Sequence, residues 1–147
     1  MKVLLARIKR GKIVVEEETV ALVGQGIALF VGIAKDDTQQ DLELMADKVS
    51  NLRIFEDEKG KLNYSVSDKQ YEILCIPNFT LCADAAKGRR PSFESSMPRD
   101  KAGELFDSLV LILKSKGIDV QTGVFGVYMD IQLDMDGPVN IILDSEG

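Results

Sequence analysis

The sequence predicts an α+β domain with more strand than helix. Three observations carry this: short apolar runs rich in Val, Ile and Leu recur along the chain, only two stretches place apolar residues at helical spacing, and Gly, Pro, Asp and Asn separate the runs. A chain of 147 residues with 45% hydrophobic content can build one core, so a single domain over residues 1–147 is expected.

The order of elements follows from the pattern. Val3–Ile8 and Ile13–Val15 around Gly11 read as two strands joined by a tight turn, before the glutamates Glu16–Glu18. Ile27–Ile33 is a continuous apolar run, as expected of a strand buried on both faces. The preceding Gly24-Gln25-Gly26 leads into a strand and opens no helix, so it is not a phosphate loop. Leu42, Met45, Ala46, Val49 and Leu52 form one apolar stripe, predicting a helix over Thr38–Leu52. Short strands fit near Arg53 and Tyr64, and Asp57–Gly60 is a turn between them. Tyr71–Ile76 is a strand that stops at Pro77, and a long polar connection runs from Ala83 to Pro98. A second amphipathic helix spans Arg99–Lys116 and ends at Gly117. Val127–Leu133 and Val139–Leu143, separated by Asp134–Pro138, read as a final hairpin-like pair. Two helices leave part of so much sheet uncovered, and a second copy of the chain is a way to bury it.

Composition removes several function classes. Histidine is absent, which excludes imidazole-based dyads and triads and removes the commonest ligand of transition metals. Cys75 and Cys82 fit neither a CxxC redox pair nor a zinc knuckle and read as buried reduced thiols. The adjacent carboxylates Asp36-Asp37 and Glu16–Glu18 lie in turns with no apolar surroundings, so neither a metal site nor a cofactor is expected. The longest apolar stretches, Ile27–Ala34 and Leu109–Leu113, fall well short of the roughly 20 residues that cross a bilayer. No membrane association and no secretion signal are expected, which places the chain in the cytoplasm. A net charge of −6 argues against nonspecific adhesion to nucleic acid, and no DNA partner is expected. The basic residues nevertheless gather in two islands: Lys2, Arg7, Lys9, Arg10 and Lys12, then Lys87, Arg89, Arg90, Arg99 and Lys101.

Two segments could carry chemistry. Pro77-Asn78-Phe79-Thr80-Leu81 ends a strand and offers short polar side chains where sites commonly form, although a turn with a satisfied hydroxyl has the same sequence. Gly137-Pro138 suits an ordinary turn, and an X-Pro bond can also be cis.

Seven segments in order resemble the D-aminoacyl-tRNA deacylase family: Arg7, Asn51–Phe55, Phe79-Thr80-Leu81, Gly88–Phe93, Gln121-Thr122-Gly123, Phe125-Gly126 with Met129, and Gly137-Pro138-Val139. The resemblance spans nearly the whole chain. It implies a mostly antiparallel, barrel-like sheet with two main helices in a homodimer, in which the cis Gly-Pro pair of one subunit enters the site of the other. Gly137 and Pro138 would then reject L-aminoacyl groups, and Arg7 would orient them through bonds to backbone carbonyls. Asn78, Phe79 and Thr80 would form the catalytic segment, with backbone N–H groups for the ester carbonyl, and Phe125 and Met129 would bind substrate. The implied substrate is the acceptor end of a transfer RNA charged with a D-amino acid or misplaced glycine. A terminal ribose hydroxyl would assist in place of a histidine, and the basic islands would touch phosphates.

Four positions depart from the usual family pattern. Pro77 and Asn78 replace Ser-Gln, Met135 replaces an Asn, and Asn140 replaces a Thr. An animal paralogue that accepts L-alanine shares proline at the first of these. The expectation therefore includes two alternatives to the chiral deacylase: relaxed chirality, or a catalytically silent family member that binds RNA or protein.

Overall fold

The computed structural model describes residues 1–147. Its organising element is the strand β1 (Lys2–Val15), which carries the antiparallel β2 (Glu18–Val23) and β3 (Gly26–Gly32) along one edge and β8 (Asp130–Asp144) along the other. β6 (Glu72–Pro77) pairs parallel with β3, and β7 (Val120–Thr122) pairs parallel with β6. The Leu22 N–H of β2 donates to Gln121 Oε1 of β7 at 2.8 Å, which nearly closes this sheet into a barrel. A two-stranded ribbon, β4 (Phe55–Glu56) and β5 (Leu62–Tyr64), stands apart near the two positions where short strands are expected.

Each face of the barrel wall has its own apolar cluster. Ala6, Ile8, Ile13, Ala21, Val23, Ala28, Leu74 and Ile76 pack together as one. Alternate residues of the same strands, among them Val3, Leu5, Ile27, Leu29, Ile73 and Cys75, face the helices α1 (Gln39–Asn51) and α3 (Arg99–Ser115). The period-2 alternation of strands thus feeds two cores from one sheet. β3 supplies both, which is why its sequence is apolar throughout. α1 starts where expected: the Asp41 carboxylate accepts the Thr38 N–H and hydroxyl, each at 2.8 Å.

Four local expectations are corrected. β1 does not turn at Gly11. A Cβ there would stand 2.8 Å from Leu74 Cδ2 and 3.1 Å from Leu133 Cδ2, so crowding inside the barrel, not chain reversal, calls for glycine. The reversal lies at Glu16 and Glu17, both at positive φ (49° and 66°). The last two predicted strands are one strand, because residues on both sides of Asp136–Val139 pair with β1 in the same direction. This strand begins at Asp130 and leaves Val127–Met129 in the preceding loop; the short helix α2 (Val66–Lys69) and β7 are additional elements. No helix is long and apolar enough to cross a membrane.

Candidate active site

β6 ends beside β3 with Pro77 opposite Val31, and the Asn78 N–H donates to Val31 O at 2.8 Å. Past that bond the chain winds into a 3₁₀ turn, Phe79–Cys82, in which Asn78 O accepts the Leu81 N–H and Thr80 O the Ala83 N–H. The N–H groups of Phe79 and Thr80 open this turn and have no acceptor within it. The Thr80 hydroxyl donates to Asn78 Oδ1, tying the two polar side chains of the segment together.

Next to this turn lies a cavity of about 460 Å³. Val31 and Ile33 of β3 form one wall, Pro77, Asn78 and Phe79 the strand end, and Met97, Arg99 and Ala102 the start of α3. Phe125, Gly126, Val127 and Met129, from the loop between β7 and β8, complete it. Phe125 is fixed by contact with the Phe106 ring, 6.2 Å between centroids. Met129 packs directly over Gly123, where a Cβ would come within 2.6 Å of its sulfur. Phe79, more than half exposed, meets Phe93 of the long connection with ring centroids 5.1 Å apart. The wall is mostly apolar, and its polar contributions come from Asn78, the turn backbone and Arg99.

A second group of the expected site residues lies elsewhere. Arg7 is buried on β1, donating from Nη1 to Ile54 O at 2.7 Å and from Nε to Asp136 O at 3.0 Å. Its charge also faces Glu56 at 3.7 Å and the Asp136 carboxylate at 3.4 Å. Opposite Arg7, β8 leaves the ladder: Ile8 pairs with Met135 and Ala6 with Asn140, so Asp136–Val139 bulge out against one residue of β1. Gly137 has φ +154°, and the Gly137-Pro138 bond is cis. Arg7 is level with Ile27, whereas the cavity begins at Val31; four residues of β3 separate them by about 13 Å.

The structure therefore brings Asn78, Phe79, Phe125 and Met129 to one cavity with Thr80 adjoining, and joins Arg7 to the segment before Gly137 and Pro138, but keeps the two groups apart within one chain. Sequence reasoning missed Val31, Ile33, Met97 and Gly126 as lining residues and had Arg99 only as part of a basic island. Val31 and Ile33 carry no signal beyond that of a core strand. Nowhere do three or more His, Cys, Asp or Glu side chains converge as a metal site requires.

The site is thus an apolar strand-end cavity with backbone donors at its rim, on a nearly closed α+β sheet flanked by helices. Comparison with known proteins makes this specific. The sequence model described as D-Tyr-tRNA(Tyr) deacylase matches residues 4–144, and the chain belongs to that family. Proteins named D-aminoacyl-tRNA deacylase include one from Thermotoga petrophila, 48% identical over 99% of this chain and 97% of its own length. Another, from Aquifex aeolicus, is 43% identical over 99% and 98%. Among solved structures, one titled c-Myc DNA Unwinding Element Binding Protein superposes with a TM-score of 0.92 at 40% identity, covering 98% of each chain. A probable eukaryotic D-amino acid tRNA deacylase shares the fold, with a TM-score of 0.86 at 17% identity over 97% of each chain.

Proposed function

We propose that the chain is a single-domain, cytoplasmic D-aminoacyl-tRNA deacylase, a hydrolase that cleaves the ester between the transfer RNA's terminal ribose and a D-amino acid or misplaced glycine. The observation that carries this is family membership over nearly the full length together with a cavity that opens beside Phe79 and Thr80. Water adds to the ester carbonyl, and the backbone N–H groups of Phe79 and Thr80 receive the negative charge that develops on its oxygen. Asn78, through its contact with the Thr80 hydroxyl, holds the turn in shape. Phe125 and Met129 present apolar surface to the terminal nucleoside. The ribose hydroxyl, supplied by the substrate, takes the part that histidine plays in other hydrolases, and free amino acid and tRNA leave. No cofactor and no DNA partner belong to this reading.

The functional unit is a homodimer in which Gly137 and Pro138 of one copy enter the partner's cavity and reject L-aminoacyl groups. What supports this is the separation of the two residue groups within one chain, and a bulge anchored by Arg7 on a strand with one edge unpaired. Exposed apolar side chains, Ile142 at 79% and Met135 at 40%, provide surface for a second copy. Relaxed chirality and a silent binding role are not favoured, since relatives at 40–48% identity are named deacylases.

The test is release of amino acid from matched D-, L- and glycyl-tRNA by wild type and by Gly137→Ala, whose Cβ would stand 2.2 Å from Val139 N. Wild type should release D-amino acid and glycine and spare L, and the variant should lose that discrimination. No release from any of the three would sink the reading.

A further inference from the structure

Resting on that reading, we infer that Arg99 is a positioning residue for the RNA, its guanidinium taking the phosphodiester that leads into the nucleoside held in the cavity. Arg99 is the single charged residue lining the cavity. It is the first residue of α3 and is exposed, so its charge stands at the mouth and not inside the apolar wall. At about 460 Å³ the cavity lies within the range of small-molecule sites, roughly 300–1,000 Å³. A terminal nucleoside with its aminoacyl group fills a space of that order, and the phosphate on its 5′ side must leave through the mouth.

The guanidinium is held in place by backbone. Its Nη2 donates to Gly126 O at 3.3 Å. Gly126 has φ +76°, and a Cβ on it would lie 2.3 Å from Nη2, 2.6 Å from Cζ and 2.7 Å from Nε of Arg99. The two residues are therefore matched: the guanidinium covers the space that any other side chain at 126 would occupy. No carboxylate lies within ion-pair distance of Arg99, whereas Arg7 has two and Arg10 one. One donor goes to a carbonyl, and the rest of the five-donor fork has no protein partner. An oriented, unpaired fork at the mouth of an apolar cavity suits one phosphate of a chain entering it.

A second feature extends the same path. Phe93 packs at a tilt against Phe79 at the cavity rim, which brings the connection carrying Lys87, Arg89 and Arg90 towards that rim. Phosphates further from the terminus then meet further cations. Arg99 differs from these in being oriented by the Gly126 carbonyl, so it sets where the terminal nucleotide sits and the others add mainly nonspecific attraction.

The experiment compares two substrates that differ only in phosphate. Wild type, Arg99→Gln and Arg99→Lys are assayed on D-aminoacyl-tRNA and on the corresponding 3′-O-D-aminoacyl adenosine, alongside the salt dependence of binding to uncharged tRNA. For Arg99→Gln, kcat/KM on tRNA relative to aminoacyl adenosine should fall about tenfold through KM, and the log–log salt slope should shrink by about 0.7, one single-strand phosphate. Arg99→Lys, which keeps the charge, should recover most of the slope. Equal losses on both substrates, or an unchanged salt slope, would overturn the assignment and leave Arg99 as a packing partner of Gly126. If wild type hydrolyses neither substrate, the deacylase reading falls, and the binding arm still decides the role of Arg99.

Discussion

Replacing Arg7 by Met keeps most of the buried aliphatic stem and removes the guanidinium, so it isolates the polar role of this residue. Two backbone carbonyls then lose their donor: Ile54 O, in a buried bond of 2.7 Å, and Asp136 O, at 3.0 Å and partly buried. Hydrogen bonds from a charged group contribute about 1.5–3 kcal/mol each, and a buried acceptor left unmatched costs about 1–3 kcal/mol. The ion pairs add less, because the Glu56 and Asp136 carboxylates both keep access to water, at 56% and 29% exposure, and such pairs contribute about 0–1 kcal/mol each. Counting the Ile54 bond in full and discounting the Asp136 end, which water reaches, gives a destabilisation of about 3 kcal/mol. For a chain of this size that is a fall of about 6–12 °C in the unfolding midpoint. The measurement is urea and thermal unfolding at one fixed protein concentration, since the midpoint of the proposed dimer would depend on concentration. Arg7→Lys should fall between, because one ammonium cannot serve both carbonyls as the planar fork does. A loss below about 1 kcal/mol for Arg7→Met would refute the reasoning, showing that both carbonyls find water without cost.

Other predictions concern the cavity and the core. Gly126→Ala should displace the Arg99 guanidinium and cost about 1–2 kcal/mol for a non-glycine residue at positive φ, read from urea midpoints; an unchanged midpoint would mean that the loop relaxes freely. Thr80→Ala should keep deacylation within about tenfold of wild type, because in the proposed mechanism backbone N–H groups face the ester; a loss of about 10²–10³ would make the hydroxyl the oxyanion donor. Burial raises the thiol pKa of both Cys75 and Cys82 above the ordinary value. Above about pH 8.5 the unfolded chain loses these protons and the native protein keeps them, so stability is present below that pH and declines as pH rises. The double Cys75→Ala, Cys82→Ala variant should lose less between pH 8.5 and 10 than wild type does, and a parallel decline would reject this. The Thr38 N–H and hydroxyl hold the Asp41 carboxyl below its usual range, so Asp41 stabilises α1 above its unfolded pKa of about 3.9 and ceases to as pH falls. Asp41→Asn should therefore lower the thermal midpoint at pH 6 more than at pH 3.

How far the fold was legible depended on whether local pattern and tertiary partner agreed. β3 was readable because a strand buried on both faces is apolar at every position, and α1 because its stripe and its Thr38–Asp41 start signal coincide. Gly11 misled because glycine marks turns and crowded strand interiors alike; only the positions of Leu74 and Leu133 tell them apart. Asp134–Pro138 misled for a related reason, since a Gly-Pro bulge within one strand and a turn between two strands share a composition, and the distinction lies in the partner, β1. Within the site, Asn78–Thr80 were legible as a strand end, whereas Met97 and Arg99 gave no local sign of their role: a helix start looks the same whether it borders solvent or a cavity. The distance between Arg7 and that cavity follows from sheet topology alone, and no local pattern contains it.

The bulge opposite Arg7 is supported by both cores at once. Met135 and Asn140, the last residues in register on either side, stand opposite Ile8 and Ala6; beyond them Leu133 packs on the barrel-side cluster and Ile141 on the helix-side cluster, which Val139, the last residue of the bulge, also contacts. A surface loop ordinarily opens independently of the rest of its domain. This one is bolted at both ends to the central strand, and neither bolt loosens unless a core does. Its local opening free energy should therefore approach that of global unfolding, and amide exchange in the flanking β8 residues that pair with β1, Asn140–Leu143, should be nearly as slow as in β1 itself. Whatever selectivity the bulge confers would then persist undiminished as temperature rises and vanish only with the fold, so that the protein becomes inactive before it becomes indiscriminate.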